Sequence, residues 1–152
     1  MKRIEDSKGN LLVDLTGQDF SQYRLSGVDM SDAQLEGADF SFADLERSIL
    51  KNADLYWAVL FRANLRGANL EGANLCGADL KSADLSDANL RNANFGRSNL
   101  GGSTKMQGTN LTGAIVEGCN FEGAEYSAAT RFPSCFDPVG AGLVLVDFEE
   151  PL

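Results

Sequence analysis

The chain contains no histidine, so the commonest general base and metal-ligating side chain is missing from all 152 residues. Cysteine is scarce. Cys76, Cys119 and Cys135 are odd in number and lack C-x-x-C spacing, which argues against a disulfide framework or a zinc site and suggests a reducing, intracellular setting with free thiols. No apolar run approaches the ~20 residues of a membrane-spanning helix. The start, Met1-Lys2-Arg3-Ile4-Glu5-Asp6, is basic but has no apolar stretch after it, unlike a secretory signal. Bases are outnumbered: 13 Lys and Arg stand against 22 Asp and Glu, a net charge of −9. That charge opposes direct binding to nucleic acid phosphates and is compatible with a basic partner or with solubility alone. These absences lead us to expect a cytoplasmic protein with no membrane association and no direct nucleic acid binding.

What is abundant is a rhythm. From Val13 to Tyr126 one five-residue phrase recurs, as in Ala63-Asn64-Leu65-Arg66-Gly67, Ala68-Asn69-Leu70-Glu71-Gly72 and Ala78-Asp79-Leu80-Lys81-Ser82. Five is the period of neither an amphipathic helix nor a plain strand. A strict short repeat marks a solenoid, in which each unit buries its apolar face only against its neighbours. The large apolar residue of each phrase falls at every fifth position from Leu15, Phe20, Leu25, Met30 and Leu35 to Leu100. Lys105 then stands where the next is due, and a shift of one residue restores the pattern at Met106, Leu111, Val116, Phe121 and Tyr126. We therefore expect one extra residue, in a glycine-bearing bulge or turn within 101–105.

Two before each centre lies a small residue, such as Ala33, Ala38, Ala43, Ser48, Ala53, Thr104, Thr109 or Cys119. Residues two apart on extended chain point the same way, so both face inward and the Asp or Asn between them faces out. The last two residues turn the chain. The result is a coil with short sides, its turns stacked about 4.8 Å apart. Period alone leaves three sides or four open.

The alternation of Ala, Asp/Asn and Leu at this spacing resembles the pentapeptide-repeat family, over about three quarters of the chain. The resemblance implies an all-β fold: a right-handed quadrilateral parallel β-helix of about six coils, roughly 27 Å long at that stacking distance, with terminal caps. Gln18 and Tyr23 depart from the pattern, standing where small inward residues belong, and suggest an irregular, capping first coil.

A solenoid must cover its ends. We expect an N-terminal cap at 1–12, where the turn signal Lys8-Gly9-Asn10 leads into a short strand at Leu11-Leu12-Val13, then the β-helix at 13–126. A C-terminal cap at 127–152 follows, with a dimerisation segment as its alternative, because the C-terminal end pairs subunits in some relatives of the resembled family. The stretch around Phe132-Pro133-Ser134-Cys135-Phe136 is similar to tails of cyanobacterial members. Asp137-Pro138 reads as a helix start and Leu143-Val144-Leu145-Val146 as strand. The protein is thus expected to be a monomer or a C-terminal homodimer.

Catalysis needs a pocket with convergent polar groups, and a Leu, Phe and Ala column filled by its own side chains offers none. Outward acids such as Asp14, Asp39, Asp54, Asp79 and Asp84 occupy one equivalent, solvated slot, whereas acid–base pairs need unlike environments. Cys76 is expected to point outward and Cys119 inward. No catalytic residue, cofactor or metal site is assigned.

With four phrases per coil, residues 20 apart stack. Asn69, Asn89 and, after the shift, Asn110 would form an amide ladder. One stretch breaks the outward pattern: Tyr56, Trp57, Val59 and Phe61 all point out beside Arg62, with Phe42 on the adjacent coil. The expectation is an exposed aromatic patch with a basic edge, a candidate partner-binding site. Its alternative is that these side chains shield one another or a tail. The functional expectation is a non-enzymatic scaffold for a protein partner of unknown identity. The alternative implied by the resemblance is a DNA mimic that binds DNA gyrase or topoisomerase IV. Bases at Arg62, Arg66, Lys81, Arg91 and Arg97 interrupt an acidic stripe and weigh against it.

Overall fold

In a computed structural model the described residues are 15–146. The expected N-terminal cap at 1–12, with its turn and strand, lies outside them, as do residues 147–152.

Each five-residue phrase builds one straight side and one corner. The carbonyl of the centre accepts the amide of the residue three further on, as from Ala53 to Leu50 (3.0 Å) and from Ala58 to Leu55 (2.9 Å), closing a β-turn. Positive φ falls on the third residue of that turn, the mark of type II geometry, which favours Gly or Asn there. The Asp or Asn before the centre has a second task. Its Oδ1 accepts the amide just past the centre, from Ser41 to Asp39 (2.8 Å), Tyr56 to Asp54 (3.1 Å) and Glu71 to Asn69 (3.1 Å). This side-chain closure explains why that slot prefers Asp and Asn to other polar residues.

Four sides make a coil. Asp39 pairs with Val59, Asp44 with Asn64, Ile49 with Asn69 and Asp54 with Asn74, all parallel and all 20 residues apart. Each rung carries backbone bonds on both sides, as where the Phe40 amide donates to Val59 (2.7 Å) and the Val59 amide to Ala38 (2.9 Å). The fold is a right-handed quadrilateral parallel β-helix, with coils at 15–34, 35–54, 55–74, 75–94 and 95–120, and two sides of another from 121, where Glu125 pairs with Lys105 and, beyond the expected boundary at 126, Arg131 pairs with Asn110. Most rungs are single-residue bridges; the regular strands among the described residues are β1 (Glu125–Tyr126) and β2 (Val144–Leu145), paired parallel. The interior is a column of fully buried Leu35, Leu45, Leu55, Leu65, Leu75 and Leu85 interleaved with alanines. Phe20 stacks on Phe40 and Phe95 on Phe121, with centroids 5.1 and 5.0 Å apart, so equivalent positions carry matching shapes.

The largest departure from expectation follows Phe95. Asp79 pairs with Lys105 and Asn94 with Asn120, 26 residues apart instead of 20, so six extra residues have entered, not one. The phrase centred on Leu100 is looped out, leaving that side chain 83% exposed. Counting by fives hides this, because an insertion of six and an insertion of one leave the same downstream register. The error displaces the expected ladder too: Asn89 pairs with Ile115, while Asn110 pairs with Asp84. The loop closes on itself through the Ser98 amide to Gly102 (2.8 Å) and the Gly101 amide to Ser98 (2.9 Å). Thr104 re-enters the core, its hydroxyl donating to the Leu75 carbonyl (3.0 Å) and accepting the Gly77 amide (3.0 Å).

The first coil keeps regular backbone pairing, Asp19 to Asp39 and Arg24 to Asp44, despite its side chains. Tyr23 does not enter the core; it is too large for an alanine slot and turns out, 54% exposed, edge-on to Phe20. At the other end, the chain beyond Arg131 packs on the last coil and returns through β2 to add one more parallel rung on β1. Phe136 packs on Phe121 and Phe132, Phe132 on Tyr126, and Leu143 is buried. The helix expected at Asp137-Pro138 is a single turn, closed by the Ala141 amide on Asp137 (3.0 Å), because Gly140 and Gly142 give it no continuation.

Two buried small-slot residues differ in a testable way. Thr109 satisfies its hydroxyl by donating to Leu80 (2.7 Å), whereas Ser48 is fully buried with its Oγ unpartnered. Ser48→Ala should therefore raise the chemical denaturation midpoint, by about 1 kcal/mol of stability. Leu65→Ala, by contrast, opens a cavity in the column and should cost about 3–5 kcal/mol on the same measurement.

Candidate functional site

The side of the rod that carries Val59 holds the expected patch. Its outward column runs Asp19, Asp39, Val59, Asp79, Lys105, Glu125 and Val144, so Val59 is an apolar rung between two aspartates. On the third coil this side begins at the Trp57 corner and ends at the corner of Phe61 and Arg62.

The six expected residues divide into three groups. Phe42, Phe61 and Arg62 form one cluster. Phe42 is 51% exposed, its ring lies edge-on to Phe61 at 5.6 Å, and the Arg62 guanidinium stands 6.0 and 5.4 Å from the two ring centres. Trp57, 43% exposed, occupies the opposite corner, with half-buried Val59 between. Tyr56 contacts Trp57 edge-on at 6.2 Å but faces around the corner onto the next side of the rod. Both Phe42 and Trp57 hold φ of +58°, in the left-handed region; glycine stands at the Trp57 corner in the neighbouring coils (Gly37, Gly77), whereas the Phe42 corner carries Gln22, Arg62 and Ser82 in its neighbours. A side chain there costs about 1–2 kcal/mol, a cost the rod also carries at corners such as Gln22, Arg47, Asn52 and Asp87.

Trp57 has a cradle that sequence reasoning missed. The indole lies over Gly77, and the inserted loop brings Gly102 against its other edge: a Cβ on Gly102 would stand 2.7 Å from the ring. Trp57, Val59, Gly77, Gly102 and Lys105 line a groove of about 240 Å³. The signal was present in Gly101-Gly102, but an insertion taken as one residue is too short to reach back to coil three.

Around the corner, the same loop overhangs a more polar cleft of about 470 Å³ lined by Glu36, Asp54, Tyr56, Cys76 and Arg97 among others. Cys76 was expected to point outward. It leaves the core but is covered there, only 8% exposed, and burial, reinforced by the Asp54 carboxylate, pushes its thiol up. Cys119 faces inward, donates its thiol to the Leu90 carbonyl (2.8 Å), and burial pushes it up to about 12. Neither thiol is poised as a nucleophile, since the reactive form is the thiolate. Among the described residues no group of His, Cys, Asp and Glu could hold a metal ion, and no helix is long and apolar enough to cross a membrane.

Two measurements check these placements. Gly102→Ala should push the indole off its floor and change the emission of Trp57, the single tryptophan, while leaving the far-ultraviolet spectrum unchanged. A thiol reagent near neutral pH should modify exposed Cys135 in the folded protein at once, and Cys76 and Cys119 only as the rod unfolds.

The repeat is matched by a family model described as pentapeptide repeats, in eight copies spanning residues 13–41, 29–67, 38–75, 58–97 and 104–125. The unmatched gap at 98–103 lies within the looped-out segment. No curated protein is significantly similar in sequence. Among solved structures, a pentapeptide repeat protein from the cyanobacterium Cyanothece 51142 is 29% identical, over 77% of this chain and 89% of that one, with a TM-score of 0.46. A pentapeptide repeat protein from Nostoc PCC 7120 is 30% identical over 85% of both chains, with a TM-score of 0.35. A trypsin-treated form of QnrB1, a plasmid-mediated fluoroquinolone resistance protein, is 20% identical over 88% of this chain and 85% of that one, with a TM-score of 0.42. With the repeat matched along most of its length, the chain belongs to the pentapeptide-repeat family.

Proposed function

We propose that this protein is a non-catalytic scaffold that binds a protein partner through Phe42, Trp57, Val59, Phe61 and Arg62, with Tyr56 at the margin. One observation carries the reading: Phe42 and Trp57 are large aromatic rings left half-exposed at two corners of one side of the rod, with Val59, Phe61 and Arg62 between and beside them. Clustered aromatics with an arginine are also the composition of interface hot spots. Under this reading the chain beyond Arg131 caps the rod and the protein is cytoplasmic. A homodimer formed through the C-terminal end remains the alternative to a monomer.

The DNA-mimic alternative, with DNA gyrase or topoisomerase IV as target, has no structural observation in its favour. A mimic must copy a continuous phosphate field. Here the outward columns run through Val59, Asn69, Asn89, Lys105 and Ile115, which break any acidic stripe.

A pull-down from native lysate tests the main reading. Wild type should retain a partner that Trp57→Ala plus Phe61→Ala loses, while both proteins show the same thermal unfolding. An unchanged partner set would overturn the reading. Inhibition of gyrase supercoiling by micromolar protein would instead establish the alternative, and we expect none.

A further inference from the structure

We infer that the cleft beneath the looped-out segment, around the corner from Trp57, is a binding site for a neutral oligosaccharide lying along the rod. The site is on a different side of the molecule from the partner-binding face and does not depend on it.

The floor of this cleft is one outward column. Asp54 pairs with Asn74 and Asn74 with Asn94, so a carboxylate and two side-chain amides are presented on successive coils. At about 4.8 Å per coil the three span roughly 10 Å, longer than a single small polyol and suited to a short chain of sugar rings. The wall exists only here, because the residues inserted after Phe95 bring Arg97, Ser98 and Asn99 over the column. That wall is held by its own contacts. The Ser98 hydroxyl accepts the Gly102 amide at 2.9 Å, and the Arg97 stem lies over Gly123. The cleft measures about 470 Å³, a size in the range of small-molecule sites.

Charge and hydrogen-bonding capacity select the ligand. Glu36 and Asp54 share the cleft with Arg97, so an anion meets carboxylates and a cation meets a guanidinium. Only an uncharged ligand avoids a like charge. Spare donors and acceptors stand side by side. Asp54 uses Oδ1 to accept the Tyr56 amide (3.1 Å) and the Asn74 side-chain amide (3.1 Å), which leaves Oδ2. Asn94 uses its Oδ1 to accept the Gly96 amide (3.0 Å) and the Asn120 side-chain amide (3.0 Å), and its Nδ2 has no acceptor among the described residues. Neither Arg97 nor Glu36 is in an ion pair among the described residues. Hydroxyl groups, each both donor and acceptor, match such a mixed set. The Tyr56 ring, half-buried at the corner, adds the one aromatic surface in a polar cleft, against which the C–H face of a sugar ring can lie.

Cellotetraose and maltotetraose are the probes, titrated into the isotope-labelled whole chain while the side-chain amide signals of Asn94 and Asn99 are followed by nuclear magnetic resonance. At least one sugar should shift both signals at millimolar concentration. Tyr56→Ala should weaken that binding about tenfold, the effect of one lost ring contact. Asn99→Ala, on the exposed loop and outside the coils, should weaken it too with thermal unfolding unchanged. Trp57→Ala plus Phe61→Ala should bind the sugar as wild type does. Tetragalacturonate, the charged counterpart, should bind no more tightly than the neutral probes. Silence with both neutral sugars, shifts confined to other residues, wild-type affinity in both Tyr56→Ala and Asn99→Ala, or tighter binding of tetragalacturonate overturns the inference.

Discussion

Every coil must return onto the one beneath it, because the backbone groups of each short side are paired with the neighbouring coil. That requirement sets the length of a side, the corner, and the identity of almost every inward residue. A side carries only one bridging residue, so two inward positions flank it, and four sides converge on a narrow axis. Leucine at the centre and alanine two before it fill that axis; a larger residue in the alanine slot turns outward, as Tyr23 does. The cost of leaving an amide unpaired in such a stack is large enough that irregularity is pushed outside the ladder. The six residues after Phe95 obey this. They leave at one corner, close on themselves, and return with Thr104 and Lys105 back in register.

A second constraint runs along the rod's edges. Corner residues stack on corner residues, so a side chain in a left-handed corner lies against the corner one coil on. Asn52 covers Gly72, Asp87 covers Gly113 and Asn92 covers Gly118. Glycine at a corner thus serves two ends: it relaxes the backbone and it leaves room for the neighbour. Trp57 over Gly77 is the same arrangement with a larger ring, and Gly102 of the loop extends its floor. The exposure and orientation of the indole therefore depend on two glycines far from it in sequence.

The division between inward and outward positions lets a uniform scaffold carry a local surface. Changing Leu65 or Ala63 disturbs a filled column, whereas Val59 replaces the usual Asp or Asn without altering the backbone pairing of its rung. What it gives up is the side-chain closure of the following turn that Asp39 and Asp79 make on either side of it.

Most of the fold was legible in the sequence because each rule is local: the five-residue period, the small residue two before the centre, and the Asp or Asn whose oxygen closes the turn all act within one phrase. The outward direction of Tyr56, Trp57, Val59 and Phe61 followed from the same alternation. Three things were decided only by tertiary structure. The length of the insertion was hidden, since six and one are equivalent modulo five; the pairing of Asp79 with Lys105 settles it. The covering of Cys76 depends on where the loop folds, and not on the thiol's own slot. The groove beside Trp57 joins Gly77 and Gly102 to a ring 20 and 45 positions earlier. A periodic pattern specifies what each residue does within its own coil, whereas a surface site is made by neighbours that only the stacking of coils brings together.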